Sequence, residues 1–426
     1  MRWTAAASRS SGCCDGDASP LRDRPMTDVM TSAPSRRLLG PALAGFCGML
    51  VGVGLGRFGY PPLIPVMVEA GWASPTALRL AGAFNLAGYV VGAVSAIGFA
   101  RWLGLRRAAL VAAVLSVLAF ALSAVPLPEW AFIGLRAVSG MTGGIFMIVV
   151  PPVIASVVAP SHRGRAGGIT FAGVGIGFVL SGIAVPLLAG SGPAGAWLGL
   201  AAVLTLASSV MMILLPRSPP PEAPQASAAA ASVAWRRSAP FLGLAAAYGG
   251  ASIGYVPHTL FFVDHVARDL GYGLAAGGWI WIASGATAVA APLVAGVAAD
   301  RFGYAAALRI VVALMAVGAA LPALTSNFAL LMLSGMLCGG LMIGLGSLTA
   351  GRTREIVGAG AHTEAWALQT ILFAVLQTLG AYGFTALLAT TGSHELVFAA
   401  AGGILAAGLA IELLASQLGR SAPTQP

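Results

Sequence analysis

The sequence predicts an all-α membrane protein of twelve transmembrane helices, arranged as two pseudo-symmetric six-helix bundles. Three observations carry that expectation: a near absence of charge, twelve long apolar runs, and a weak internal repeat about a polar linker. Of 426 residues, 58% are hydrophobic and only 9% charged, with a mean hydropathy of +0.88. Soluble domains carry roughly 25% charged residues. So little charge cannot clothe a water-facing surface, which excludes a soluble enzyme, a nucleic-acid-binding domain and a disordered chain. The net charge of +9 comes from 23 basic residues, all arginine, in short clusters between apolar runs. Cys13, Cys14, Cys47 and Cys338 lack metal-ligand spacing and imply no disulfide framework. No metal or other cofactor is expected.

Crossing ~30 Å of hydrocarbon takes about 20 helical residues. Runs of that length fall at 38–68, 76–100, 108–126, 130–158, 166–190, 194–215, 240–266, 274–299, 305–323, 327–350, 363–390 and 394–417. They are too long for barrel strands and lack period-two alternation, so they read as helices that satisfy their own backbone in lipid.

The arginines orient the chain. Arg36 and Arg37 precede the first run; Arg101, Arg106 and Arg107 follow the second, and Arg163 and Arg165 the fourth. Arg217, Arg236 and Arg237 follow the sixth, Arg301 and Arg309 the eighth, Arg352 and Arg354 the tenth, and Arg420 the last. The opposite side holds only Arg79 and Arg268. The positive-inside rule then places both termini in the cytoplasm of a multi-pass protein of the inner cell membrane.

The expected units are a disordered N-terminal tail (1–37), a first bundle (38–215), a cytoplasmic linker (216–239), a second bundle (240–417) and a short C-terminal tail (418–426). The tail has no secretory apolar core, and Met26 or Met30 is the expected start. The linker is rich in Pro, Ala and Ser, the composition of a flexible connection.

The halves match at a steady offset. Gly56 corresponds to Gly254 and Gly98 to Gly296, both 198 residues apart, and the Gly-rich stretch from Ser139 parallels that from Ser334 at 195. Parallel repeats imply a pseudo-twofold along the membrane normal, with a solute site near mid-membrane between the halves.

Gly296-Val297-Ala298-Ala299-Asp300-Arg301-Phe302-Gly303 resembles the GxxxDRxG loop of the major facilitator superfamily. The first-half loop from Gly98 to Arg107 keeps the glycines and basic residues but lacks the Asp. Arg136-Ala137-Val138-Ser139-Gly140 resembles the superfamily's RxxxG motif, and Gly54 to Tyr60 with Pro61, Pro62 and Pro65 is similar to its YbfB-like branch. The resemblance implies a secondary active transporter working by alternating access, with Gly296, Asp300, Arg301 and Gly303 as a conformational loop. In that loop the Asp is expected to cap a helix end and the Arg to reach a carboxylate.

Ionisable groups within a membrane helix are costly and are functional candidates by default. Arg57 lies about 28 Å along the first run at about 1.5 Å per residue, and Arg136 lies early in the fourth. Neither has an acidic residue within four positions. Arg57 is expected either to snorkel to headgroups or to attract an anionic solute. Arg136 either bonds a neighbouring helix, binds the solute, or takes part in proton coupling, as the resemblance suggests. The 198 offset maps Arg57 onto Tyr255 and Tyr60 onto His258, whose imidazole is the second proton-coupling candidate. Asn85, Tyr89, Trp281, Gln377 and Tyr382 complete the polar groups expected to line the cavity. Asp264 and His265 are expected to be solvated, and Glu412 to snorkel. The Gly48-Gly52-Gly56 and Gly173-Gly177-Ser181 stripes read as helix-packing faces.

The leading expectation is proton-coupled transport of a small organic solute, with a preference for anions, by a monomer whose partners are that solute, the bilayer and the proton, with no nucleic acid. Multidrug-type efflux of apolar compounds is the alternative, and a channel or membrane enzyme a distant one. No HExxH, GxSG with a helical His, paired membrane aspartates or Walker loop is present.

Overall fold

Twelve crossings follow one another along the chain in the computed structural model, which describes residues 34–159, 162–215 and 233–421. Helix α1 begins as Pro34–Met49, passes into a π-helical turn over Leu50–Leu55, breaks, and resumes as Leu63–Glu69. Helices α2 (Pro75–Leu103), α3 (Leu105–Leu122), α4 (Glu129–Val157), α5 (Arg163–Leu188) and α6 (Gly192–Leu214) complete the first bundle. Helix α7 is interrupted, running as Ala239–Gly254, Val256–Leu260 and Phe262–Asp264 and ending in a π turn, His265–Asp269. Then come α8 (Gly273–Phe302), α9 (Tyr304–Leu324), α10 (Phe328–Gly358), α11 (Gly360–Thr391) and α12 (His394–Ser421). Ten segments are individually long and apolar enough to span a membrane. The count reaches twelve when Arg163–Leu214 is divided at the turn Ala189–Ser191 and the interrupted α7 is included. No strand occurs among the described residues.

The turns carry the repeat into three dimensions. Gly104 (φ 79°, ψ 148°) alone separates α2 from α3, and Gly303 (φ 80°, ψ 156°) alone separates α8 from α9. A positive φ of this kind is open to glycine and strained for other residues. Ser74 and Asn327 cap the starts of α2 and α10, their side-chain oxygens accepting from backbone N–H groups of the first turn.

Small residues bring the helices close. A Cβ at Gly88 or Gly92 of α2, or at Gly140 or Gly144 of α4, would run into a backbone carbonyl of the other helix. Gly173 and Gly177 of α5 meet α1 in the same way, as the glycine stripe predicts. Between the bundles, α5 crosses α8 with Gly175 beside Gly285 and Gly182 beside Gly278, and α2 meets α11 where Phe84 sets its edge on Tyr382 at 5.7 Å. Large apolar side chains such as Leu187, Ile213 and Leu293 face outward, as in a surface solvated by lipid.

Four expectations need correction. Runs 38–68 and 240–266 are not continuous helices, because Pro61, Pro62 and Pro257 supply no N–H to an i−4 carbonyl. Asp264 is not solvated; it is 3% exposed and pairs with Arg268 one turn on (2.5 and 2.6 Å). His265, 4% exposed, is buried as well. Glu412 does not snorkel, because Arg309 of α9 holds it in a two-point ion pair (2.7 and 3.0 Å). Helix α1 already begins at Pro34 and α12 runs to Ser421, so both reach into the expected tails. Residues 1–33, with Met26 and Met30, and 216–232 of the linker lie outside the described residues. Twelve crossings return the two described ends to one side, hereafter the terminus face.

Candidate solute site between the bundles

The site is built on the break in α1. Pro61 and Pro62 cannot donate to the carbonyls of Arg57 and Phe58, so those acceptors are left for other partners. The Phe58 carbonyl is met from both bundles: by the Trp281 indole N–H of α8 at 3.0 Å and the Ser181 hydroxyl of α5 at 3.2 Å. Two residues earlier, the Gly56 carbonyl accepts from Asn85 Nδ2 (3.3 Å), Arg136 Nη2 (3.0 Å) and Ser139 Oγ (2.8 Å). A free carbonyl in a low-dielectric interior is costly, and three donors satisfying one break make it a rigid junction of α1, α2 and α4.

Arg57 projects from this junction without a counter-ion. Its guanidinium lies over the Phe58 ring at 4.9 Å, it makes no ion pair, and its Nη2 is buried with no partner among the described residues. It interacts electrostatically with the phenols of Tyr89 in α2 and Tyr255 at the α7 break, so groups from both bundles surround it. The Tyr255 hydroxyl is itself buried and unpartnered, as are Nε2 of Gln377 and both amide atoms of Gln369 in α11. A cavity of about 10 Å³, room for one water, lies between Arg57, Asn85, Arg136 and, from α7, Thr259 and Leu260. No organic solute fits that space in this conformation.

Other sequence candidates are held inside their own bundles or in the seam. Arg136, 1% exposed, sits in an aromatic box of Tyr60 (4.4 Å), Phe120 (5.5 Å) and Trp197 (5.6 Å). Of its three expected roles, this geometry is that of a bond to a neighbouring helix. Tyr60 donates to the Leu78 carbonyl at 2.7 Å, and Asn85 bonds the carbonyls of Gly56 and Arg136. His258 donates from Nε2 to Ser334 (2.8 Å), whose hydroxyl is committed to the Gly318 carbonyl; its Nδ1 is buried without a partner. Its ring packs against Phe262 and Phe398 within the second bundle. Trp281, 1% exposed, closes the seam between α1, α5 and α8, its ring packed against Phe178 at 4.5 Å. That seam lies in the half of the molecule away from the terminus face. Thus Arg57, Tyr89 and Tyr255 come together as available polar groups and Gln377 of α11 keeps an unpartnered amide among the described residues, while Tyr60, Asn85, Arg136, His258 and Trp281 are committed elsewhere.

In the loop motif, Gly303 supplies the positive-φ turn. Asp300 and Arg301 are exposed and make no hydrogen bond or ion pair with the described residues, and a Cβ at Gly296 would meet open space. The expected cap and carboxylate contact are therefore not made in this conformation.

Sequence reasoning missed Gln369 and an aromatic shelf in which Tyr248 of α7 packs against Trp366 (6.2 Å) and Phe373 (4.6 Å) of α11. The signal for Gln369 was present: it precedes Gln377 by eight residues, which returns a helix to the same face.

Comparison with known proteins gives the lineage. A search of curated proteins finds no sequence match. Among solved structures, a crystal structure of a D-xylose-proton symporter superposes with a TM-score of 0.70 at 16% identity, covering 88% of this chain and 97% of that one. In all, 291 solved chains match, so the fold alone selects no substrate. The family model described as "Uncharacterised MFS-type transporter YbfB" matches residues 49–413, from the α1 π turn almost to the end of α12. The chain belongs to that family: it is a transporter of the major facilitator superfamily, not an enzyme.

Proposed function

We propose that the protein carries a small organic anion across the inner membrane by alternating access, with Arg57 as the charge anchor. The observation that carries this is a partly buried guanidinium between the bundles, its Nη2 fully buried, with no carboxylate to neutralise it among the described residues. A cation desolvated in this way costs several kcal/mol unless an anion completes it, and a solute carboxylate or similar group supplies that anion. Tyr89, Tyr255, Gln369 and Gln377 orient the solute by hydrogen bonds, and the Tyr248–Trp366–Phe373 shelf receives its apolar part.

The terminus face is taken as cytoplasmic, following the arginine bias. The seam at Trp281 then closes the outer side, and exchange requires it to part while the cytoplasmic side closes. The proton is the proposed coupling ion, by analogy with the symporter of similar fold. His258 is the proposed carrier, since its unpartnered Nδ1 can take a proton when the interrupted α7 rearranges. Arg136 enters coupling only through the Gly56 carbonyl that it holds. Each chain contains both sides of the site, so a monomer suffices.

The aromatic shelf also favours a second reading, efflux of apolar compounds. A thermal-shift screen of purified protein against organic acids, amino acids, sugars and neutral aromatic drugs separates the two, because a ligand of the folded state stabilises it with occupancy. The expected result is stabilisation by organic acids that disappears in Arg57→Gln. Stabilisation by neutral aromatics alone, or by acids equally in both proteins, overturns the anion reading. Saturable counterflow of the stabilising acid in proteoliposomes then distinguishes a carrier from a channel.

A further inference from the structure

Away from the seam, the end of α7 meets the start of α12 in a group that transport does not use. His265 and Asp269 lie four residues apart on the π turn that ends α7, and His394 opens α12 directly after the Gly392 turn. Both imidazole Nδ1 atoms converge on the same carboxylate oxygen, Oδ2 of Asp269, at 3.2 Å from His265 and 3.1 Å from His394. The two rings are stacked, with centroids 4.6 Å apart and planes inclined by 26°. One donor atom from each residue lies within 4.8 Å of the others.

We propose that His265, Asp269 and His394 form a binding site for a late first-row divalent cation, Zn²⁺ in particular. The argument is geometric and chemical. A tetrahedral Zn²⁺ with bonds of about 2.0–2.1 Å spaces its ligand atoms by about 3.3 Å, and the two nitrogen-to-oxygen separations are already within a few tenths of an ångström of that. Two imidazoles with one carboxylate is a borderline-soft donor set that suits zinc and disfavours Mg²⁺ or Ca²⁺. Three protein ligands leave a fourth position for water, on the side where the Asp269 side chain is 34% exposed.

The charges around the group are compatible with an added cation. Arg268 is neutralised by Asp264, and its field is also balanced by Glu69. Arg79 of α2, which faces Asp264, Asp269 and His394, is the opposing charge. A bound ion would tie the end of α7 to α12, which the metal-free protein joins only through these hydrogen bonds and the packing beneath them. Phe398, one turn further along α12, already rests against the His265 ring at 5.6 Å and gives the site a dry floor.

The test uses the full chain, purified without a polyhistidine tag and stripped with chelator, and titrated with Co²⁺ and then Zn²⁺. One equivalent of Co²⁺ is expected to give the visible absorption of a four-coordinate site, which Zn²⁺ then abolishes. His394→Gln and Asp269→Asn keep side-chain volume, and each is expected to weaken the affinity at least tenfold. Arg79→Gln, which removes the opposing charge, is expected to tighten it several-fold. Metal-free thermal unfolding of each variant reports folding separately. Absence of saturable binding in the unaltered protein, or an affinity unchanged in both ligand variants, overturns the site. These outcomes are independent of which solute the protein carries.

Discussion

Arg57 and Arg136 line the same small pocket, yet their surroundings differ in kind. Arg136 bonds a carbonyl left over by the α1 break and is enclosed by three aromatic rings. Its Nε has no partner among the described residues, but the carbonyl and the rings that hold it all belong to one bundle. Arg57 touches one ring, has no acceptor for Nη2, and feels phenols from both bundles. Membrane depth does not separate the two; the supply of partners does. A buried cation satisfied by its own bundle stabilises the fold, and one left open between the bundles is available to a solute.

The largest expected effect tests the Arg136 side of this contrast. Arg136→Ala removes a charge-assisted hydrogen bond, a desolvated cation–π contact and the volume that fills the box, together about 4 kcal/mol of stability. Unfolding in mixed micelles measures it. A loss below about 1 kcal/mol would show that Arg136 is not the structural cation.

Next comes the Arg57 side, with the readouts reversed. Arg57→Gln is expected to leave the protein at least as resistant to unfolding as the unaltered one, because no ion pair is broken and an uncompensated charge is removed from a poorly solvated site. It should weaken a stabilising acid about 100-fold, the scale of a charge-assisted hydrogen bond lost to a desolvated anion. If Arg57→Gln unfolds the protein while Arg136→Ala does not, the assignment of the two arginines is inverted.

The contrast also marks what could be read from the chain alone. Apolar run length predicts the twelve crossings because lipid leaves the backbone few options. The 198-residue offset pairs Gly56 with Gly254, and the structure interrupts both helices near them although each run reads as continuous; one residue out of step, the turns at Gly104 and Gly303 also match. The candidate list named Arg57 and Arg136 together, since both are lone charges in apolar runs. Nothing local separates them, because the acceptor for Arg136 is 80 residues away and the donor to Phe58 is 223 away. Tyr60 and His258 illustrate the same limit. The repeat maps one onto the other, but the partners that bury them, Trp197 and Phe398, come from the sixth helix of each bundle. His394, at the head of α12, drew no notice because four helices, α8 to α11, separate it in sequence from its partners on α7.

A third prediction concerns the seam that shuts the Arg57 pocket. Trp281→Phe keeps the packing on Phe178 but deletes the N–H that reaches the Phe58 carbonyl, while Ser181 still meets that oxygen. The cost is about 1 kcal/mol, a shift of about fivefold towards the state in which the seam is parted. Spin labels at the exposed positions Leu187 of α5 and Trp279 of α8 read the change as a larger population of long distances. An unchanged distribution would mean that packing of Gly182 against Gly278, and not the indole bond, holds the seam.

The smallest expected effect lies at the terminus face, where Asp300 and Arg301 stand exposed without a hydrogen bond or ion pair among the described residues while the opposite seam is closed. A loop that holds the terminus face shut is needed only when the seam has opened, so its contacts belong to the other conformation. Asp300→Ala therefore leaves the described state untouched and raises the energy of its alternative, by up to about 1 kcal/mol if the lost contact is a surface ion pair. Solute affinity in the described state should not change, and turnover in counterflow should fall a few-fold, because a ligand-independent penalty on one state slows exchange between them. Turnover equal to that of the unaltered protein would remove Asp300 from the cycle. A loss of affinity without a loss of turnover would place its effect at the site instead.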